Sequence, residues 1–344
     1  MEKQYLDYAL NTLEKLVNIP SPTGFYHLAN RFLAQELEAM GYAPNIRNKG
    51  SVTVDLGGPE GEAILLCAHL DTLGGMVSQV KADGRLKISP LGGLSPNNAE
   101  TENVKIYTRD GKLYDGTFQL VDASYHVNSN YASTARTFDT TEVVIDQPVF
   151  TAADTKKLGI QVGDIVCFDP RFTVTDSGYI KSRFLDDKLS CAILLAYAKM
   201  LKDKGVCPKR RTYLHFTVYE EVGHGSAAYC PGDVTEVIAV DMGCVGKGLS
   251  CTEQMVSICA KDTHGPSDYL LTSRLVEIAK ANNISYAVDV YPHYGSDADV
   301  LLKAGYDVRH CVIGAGVYAS HGYERSHKDG LANTFDLVAK YIDR

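Results

Sequence analysis

Apolar residues recur at helical spacing over residues 24–40, GFYHLANRFLAQELEAM, where Phe25, Leu28, Ala29, Phe32, Leu33, Leu37 and Met40 share a face and Gly41 supplies a stop. The period then changes. SVTVDL reads as a short strand, and AILLCAH, almost continuously apolar, as a strand buried on both faces of a parallel or mixed sheet. Between about residues 73 and 180 the runs shorten: MVSQVKADGRLKISP and ENVKIYTRDGKLYDGTFQLV are β segments broken at Asp83-Gly84 and Asp110-Gly111, dipeptides that favour tight hairpins. TEVVIDQ, GDIVCFDP and GYIKSRF add strands, and TAADTKKLG predicts a helix. After residue 185 helices and strands alternate again. DDKLSCAILLAYAKMLKDKG is a helix with acids at its start and lysines at its end, as the helix dipole favours. RTYLHFTVYE, EVIAVDMG, QMVSICA, YAVDV and VRHCVIGA are strands; SDYLLTSRLVEIAKANN and LANTFDLVAKYID are helices.

This texture predicts an α/β protein interrupted by a small β-rich module. The expected division is a catalytic domain formed by residues 1–72 and 181–344, with 73–180 inserted. The ends of the insert must then lie close together. A chain of 344 residues, 45% of them hydrophobic, is long enough to bury a substantial core.

The formal net charge of −8 argues against a business of binding nucleic acid or anionic membranes. The longest apolar stretch, around LSCAILLAYAKML, falls short of the ~20 residues a membrane span needs. The nine cysteines lack CxxC spacing and sit mostly in apolar runs, as small hydrophobes in a reducing compartment do. The N-terminal MEKQYLDYALNTLEKL lacks the apolar core of a signal peptide, so the expected location is the cytoplasm. No P-loop or GxGxxG pattern is present.

Chemistry gathers where strands end. AILLCAHLD delivers His69 and Asp71, FTVYEE delivers Glu220 and Glu221, VIAVD delivers Asp241, and VIGAGVYASHGYERSH delivers His321, with His327 as a rival. Asp186 and Asp187 stand where the chain enters the helix that opens the second half. Each acid alone is as well explained by a solvated loop charge or a helix cap. As a set they fall at the carboxyl ends of strands, where open α/β sheets build their sites. Carboxylates and imidazoles without thiolates suit zinc, cobalt or manganese, and the donors outnumber what one tetrahedral ion needs, so two ions are expected. A water between two such ions becomes a nucleophile near neutral pH.

In this order and at these separations, AHLD, SRFLDDK, TVYEEVG, AVDMG and SHGYE resemble the dinuclear-metal aminopeptidases that assemble into tetrahedral dodecamers, a group that includes glutamyl and deblocking aminopeptidases and proteins described as cellulases. The likeness spans nearly the whole chain. It implies a mixed-sheet zinc-exopeptidase fold of the phosphorylase/hydrolase-like kind carrying an inserted dimerisation domain. It further implies cleavage of N-terminal residues from peptides, two divalent ions per subunit, and assembly from dimer to dodecamer. By position, His69, Asp186, Glu221, Asp241 and His321 would hold the metals, Asp186 bridging them; Glu220 would be the general base, and Asp71 would orient His69. Thr72 stands where many relatives have glutamate, VGHGSA replaces a leucine-and-arginine stretch, and SHGYERSH replaces a His-Ser-Pro sequence, departures that bear on substrate preference.

A rival reading within the hydrolases is a carboxypeptidase or N-acyl amino-acid deacylase, which needs a basic clamp; Lys261, Arg183 and Arg309 are its candidates. A glycosidase is disfavoured, because two adjacent carboxylates do not straddle a sugar ring.

Overall fold

The computed structural model describes residues 1–343. Two units emerge, Met1–Asp71 with Arg171 onward, and Thr72–Pro170.

The first unit is built on a twelve-stranded mixed sheet. At its centre Ala63–His69 lies parallel between Thr212–Thr217 and Val234–Val240, and Arg309–Tyr318 continues parallel beyond the latter. All seven residues of Ala63–His69 are buried, which is why its sequence reads as a continuous apolar run. The register pairs His69 with Thr217 and Cys67 with Ala239, so the carboxyl ends of three central strands lie side by side. The helix Leu185–Lys204 is buried on every side from Leu185 to Ala198. A helix apolar all round belongs inside a layered domain, and Lys3–Asn18 and Lys328–Ile342 pack upon it. Both of those are amphipathic, burying for example Ala9, Leu13 and Leu16, and Phe335, Val338 and Ile342.

The second unit is a closed barrel of six strands. The hairpin turns expected at Asp83-Gly84 and Asp110-Gly111 lie between paired strands, Gly74–Val80 with Leu86–Leu91 and Asn103–Tyr107 with Leu113–Leu120. The helix expected in TAADTKKLG runs from Ala152 to Leu158, with a Thr151/Asp154 capping box and left-handed Gly159 at its end. Closure of the barrel pairs strand edges that an open module would leave to a partner chain. Unpaired edges are therefore no argument for self-association through this unit.

The barrel unit ends at Pro170, earlier than the expected boundary of 180. The physical reason is pairing: Tyr179–Ser182 runs antiparallel to Glu324–His327 in the main sheet, and Ile180 is fully buried in the main core. Two short elements carried too little periodicity to be predicted, the strand Glu324–His327 and the helix Asp297–Lys303.

Candidate metal centre

The site forms where the three adjacent strands stop. His69 is the last residue of its strand, and Asp71 follows. The next strand ends at Thr217, Tyr219 turns left-handed (φ 70°), and Glu220–Val222 form a single 3-10 turn. This corrects the expectation that the strand itself runs to the glutamates. An extended chain would send neighbouring side chains to opposite faces; the turn instead lets Glu220 and Glu221 both reach the same cleft. Asp241 follows Val240, its N–H donating to the Ile313 carbonyl. Asp186 and Asp187 open the buried helix with non-helical backbone.

His69 Nε2 lies 2.9 Å from Asp186 Oδ1 and 3.7 Å from Glu220 Oε2. His321 Nε2 lies 3.6 Å from both Asp186 Oδ2 and Glu221 Oε2. The two oxygens of Asp186 thus face two imidazoles. Donor atoms of His69, Asp186 and Glu221 all lie within 4.8 Å of one another, as do those of His69, Asp187 and Asp241. The five residues expected as ligands gather in one place; Asp187, not among them, also joins. Its Oδ2 accepts the backbone N–H of His69 (3.1 Å).

Asp71 does something other than expected. The group within hydrogen-bond reach of His69 Nδ1 is the backbone carbonyl of Asp71 at 2.9 Å, whereas its carboxylate stands 3.8 Å away. The carboxylate accepts from Thr23 Oγ1 (2.7 Å) and from the backbone N–H of Glu220 (3.1 Å), so it fixes the turn that carries the glutamates.

The electrostatics are those of buried acids crowded around one imidazole. Burial, with Asp186 nearby, pushes Asp241 up to about 7, and Glu221 is raised well above its ordinary range for the same reasons. Glu220 is raised well above its range by burial and by Asp241. His69 is raised well above its ordinary value although burial opposes it, because Glu220, Asp186 and Asp241 surround the ring. Glu221 Oε1 is buried with no hydrogen-bond partner. Among the described residues, the ion pairs that reach Asp186, Glu220 and Glu221 come from histidine alone, and Asp241 has none. A divalent ion fits this set: its charge replaces the protons that burial otherwise imposes, and imidazole and carboxylate are its preferred donors.

A model of the M42 glutamyl aminopeptidase family matches residues 50–337. The chain is 40% identical over 334 residues to the candidate aminopeptidase YhfE of Bacillus subtilis (strain 168), covering 97% of this chain and 96% of that one. The chain belongs to the M42 glutamyl aminopeptidase family. It is accordingly a metal-dependent aminopeptidase, a hydrolase of peptide bonds. The fold is that of solved M42-like structures. A TET aminopeptidase from a marine sediment archaeon of the Thaumarchaeota superposes with TM-score 0.89 at 20% identity, covering 98% of this chain and 96% of that one. The Pyrococcus horikoshii TET1 peptidase, whose subunits assemble into a tetrahedron or a large octahedral shell, superposes with TM-score 0.86 at 21% identity over 97% and 99%.

In this M42 aminopeptidase the rival histidine has another job. His327 Nε2 lies 2.9 Å from the Ser177 carbonyl, and its Nδ1 accepts from Asp329 N–H to cap the C-terminal helix. The residues considered for a carboxypeptidase clamp are engaged elsewhere: Lys261 donates to the Asp262 carbonyl, Arg309 pairs with Glu236, and Arg183 reaches the Gly322 carbonyl. None of them lines the cleft of about 510 Å³ that opens over the carboxylates.

Sequence reasoning missed Glu324. It is buried, and its Oε2 accepts the N–H of Asp186 while Oε1 accepts that of His321, both at 3.0 Å. It ties the turn at the helix entry to the loop of His321, a left-handed residue (φ 63°). Its position in SHGYE, three residues after the histidine, was the available signal. His264 lines the cleft, and its donor atoms lie within 4.8 Å of those of Asp262 and Asp299, a group that carried no sequence pattern.

Proposed function

We propose that this aminopeptidase holds two divalent ions, zinc, cobalt or manganese, on His69, Asp186, Glu221, Asp241 and His321, with Asp186 between them. The observation that supports this reading is the pair of Asp186 oxygens, one facing His69 and the other His321. Ions bound there would supply Lewis acidity toward a scissile carbonyl and acidify water toward neutrality. Glu220 is the general base. Its carboxylate takes the proton of the attacking water and passes it to the leaving amine, so one group serves both halves of the hydrolysis. Burial keeps Glu220 a proton acceptor of raised affinity, and Asp71, gripping its backbone N–H, keeps it aimed. Asp71 is thus a positioning residue for Glu220, while its backbone carbonyl orients His69. Carboxylates of the cleft not engaged by metal receive the free α-amino group of the peptide.

The substrate is a peptide with a free N-terminus. The chain forms a homo-oligomer, dimer to dodecamer, with the barrel unit as the dimerisation domain, and it works in the cytoplasm; the TET1 peptidase's assembly into a tetrahedron supports the oligomer. Among the described residues no helix is long and apolar enough to cross a membrane.

Glu220→Gln tests the mechanism. Turnover of an aminoacyl amide falls by about 10³-fold, while elemental analysis finds the metal content unchanged. Activity near the parent level with metals retained would remove Glu220 from the role of base.

A further inference from the structure

A second group of carboxylate and imidazole donors, sharing no residue with the first, is formed by Asp262, His264 and Asp299, whose donor atoms all lie within 4.8 Å of one another. Two distant segments supply it. Asp262 follows the strand Val256–Lys261 and His264 stands just beyond it, while Asp299 belongs to the first turn of the helix Asp297–Lys303. The two acids are 4% and 5% exposed. Each uses one oxygen on the backbone: Asp262 Oδ1 accepts the N–H of His264 (2.8 Å) and of Gly265 (3.1 Å), and Asp299 Oδ2 accepts that of Ser296 (3.3 Å). Among the described residues no hydrogen-bond donor reaches Asp262 Oδ2, and Asp299 Oδ1 has only His310 Nε2, at 3.7 Å. Lys261, the cation next in sequence, donates to the Asp262 carbonyl instead. Buried Glu236 has three arginines; these two acids have each other, and burial together with Asp299 pushes Asp262 up to about 6.

We propose that Asp262, His264 and Asp299 form an accessory site for a divalent cation of the zinc or manganese class, sharing no ligand with the two-ion centre. Two buried carboxylates that face each other without a lysine or arginine repel unless a cation or a shared proton sits between them. An imidazole beside them completes a donor set that these ions favour, with water in the remaining positions. The spacing suits one ion. Ligands at about 2.1 Å from a tetrahedral ion stand about 3.4 Å apart, and His264 Nδ1 already lies 3.2 Å from Asp299 Oδ2. Such an ion cross-links the turn after Lys261 to the helix Asp297–Lys303. That helix begins with Asp297, whose carboxylate accepts the Ser226 N–H (2.7 Å) and the Thr217 hydroxyl. Thr217 and Ser226 flank the turn that carries Glu220 and Glu221. The accessory ion therefore steadies the helix that grips both sides of the glutamate turn, and takes no part in the hydrolysis itself.

The test strips the full-length protein of metal, dialyses it against zinc or manganese at fixed free concentrations, and counts bound ions by elemental analysis in the parent, His264→Ala and Asp262→Asn. The parent should hold one ion more than either variant. The affinity for that ion should fall by roughly 100-fold or more in the variants, beyond what loss of an outer partner costs. The His264 side chain is 41% exposed, so its removal does not threaten the core, and far-UV circular dichroism checks both variants. Amide exchange supplies a second readout: binding of the extra ion should slow exchange at His264 and Gly265 in the parent and leave it unchanged in His264→Ala. Equal ion counts and affinities in all three chains, or a difference that appears only at millimolar metal, would overturn the site. All three chains keep the donors of the two-ion centre, so a failure of the two-ion reading lowers every total alike and leaves the difference of one ion to be measured.

Discussion

One strand carries a buried carboxylate near each end, and the two live in opposite surroundings. Near the start of Val234–Val240, Glu236 is 1% exposed and is held by Arg210, Arg274, Arg309 and the Tyr341 hydroxyl. Although burial opposes it, these partners hold Glu236 below its ordinary range. Just past the other end, Asp241 has no arginine or lysine; the Met242 N–H, the Tyr294 hydroxyl and His69 ease its charge, but burial and Asp186 outweigh them and push it up to about 7. A buried carboxylate supplied with cations by its own chain is a structural element. One left without them costs stability unless a cation comes from outside. The same contrast recurs in the barrel, where buried Glu142 pairs with Lys81 and Arg85. Burial alone therefore does not mark a site; the absence of an internal partner does.

The comparison is broken most directly by removing the cation. Chelation should abolish peptide hydrolysis while leaving the Glu236 end folded, with far-UV circular dichroism unchanged and activity restored by zinc, cobalt or manganese. Retained turnover in metal-free protein would undo the distinction. At the other end, Glu236→Ala should destabilise the protein by about 2–3 kcal/mol, below the full cost of an orphaned buried charge because the arginines are partly exposed to water. Denaturant midpoints measure this, and metal content should not change.

A smaller effect is expected from Glu324→Gln. An amide offers one acceptor where two backbone N–H groups need one each, so metal affinity should fall roughly tenfold while kcat at saturating metal stays within a few-fold. Competition with a chromogenic chelator separates the two readings. A loss of kcat without a loss of affinity would assign Glu324 to something other than holding the ligand loops.

The smallest effect is a difference in the sign of pH dependence. In the metal-free protein Asp241 binds its proton more tightly folded than unfolded, where its value is near 3.8. Its support for the fold is complete below about 4 and is lost as pH rises toward 7. Glu236, with a lowered folded value, contributes above its unfolded value and is lost in acid. Urea midpoints of the metal-free protein should therefore fall between pH 4 and 7, and Asp241→Asn should flatten that fall. A rise over the same interval in the parent would contradict the assignment.

Periodicity made much of the fold legible. AILLCAH announced a fully buried strand, and DDKLSCAILLAYAKMLKDKG announced the central helix, because each had enough apolar residues to declare its environment. Elements of four to seven residues, Glu324–His327 and Asp297–Lys303, gave no such signal, yet they carry Glu324 and Asp299. The candidate ligands were legible because open sheets place polar residues at strand ends. Which of the paired acids does what was less so. Asp71 and His69 sit two apart, the spacing that suggested a carboxylate on the ring, but the backbone carbonyl takes that place.

By itself the sequence determined the alternation of helices and strands, the β-rich interruption, and the ordered set of acids and histidines at strand ends. These follow from local patterns of burial, which a chain must encode locally. Tertiary structure alone decided that the glutamates lie in a turn past the strand's end, that the barrel closes its own edges, and that Glu324 joins the helix entry to the loop of His321. Such relations depend on how distant segments pack, and the charges that balance a buried carboxylate come from parts of the chain that only folding brings together.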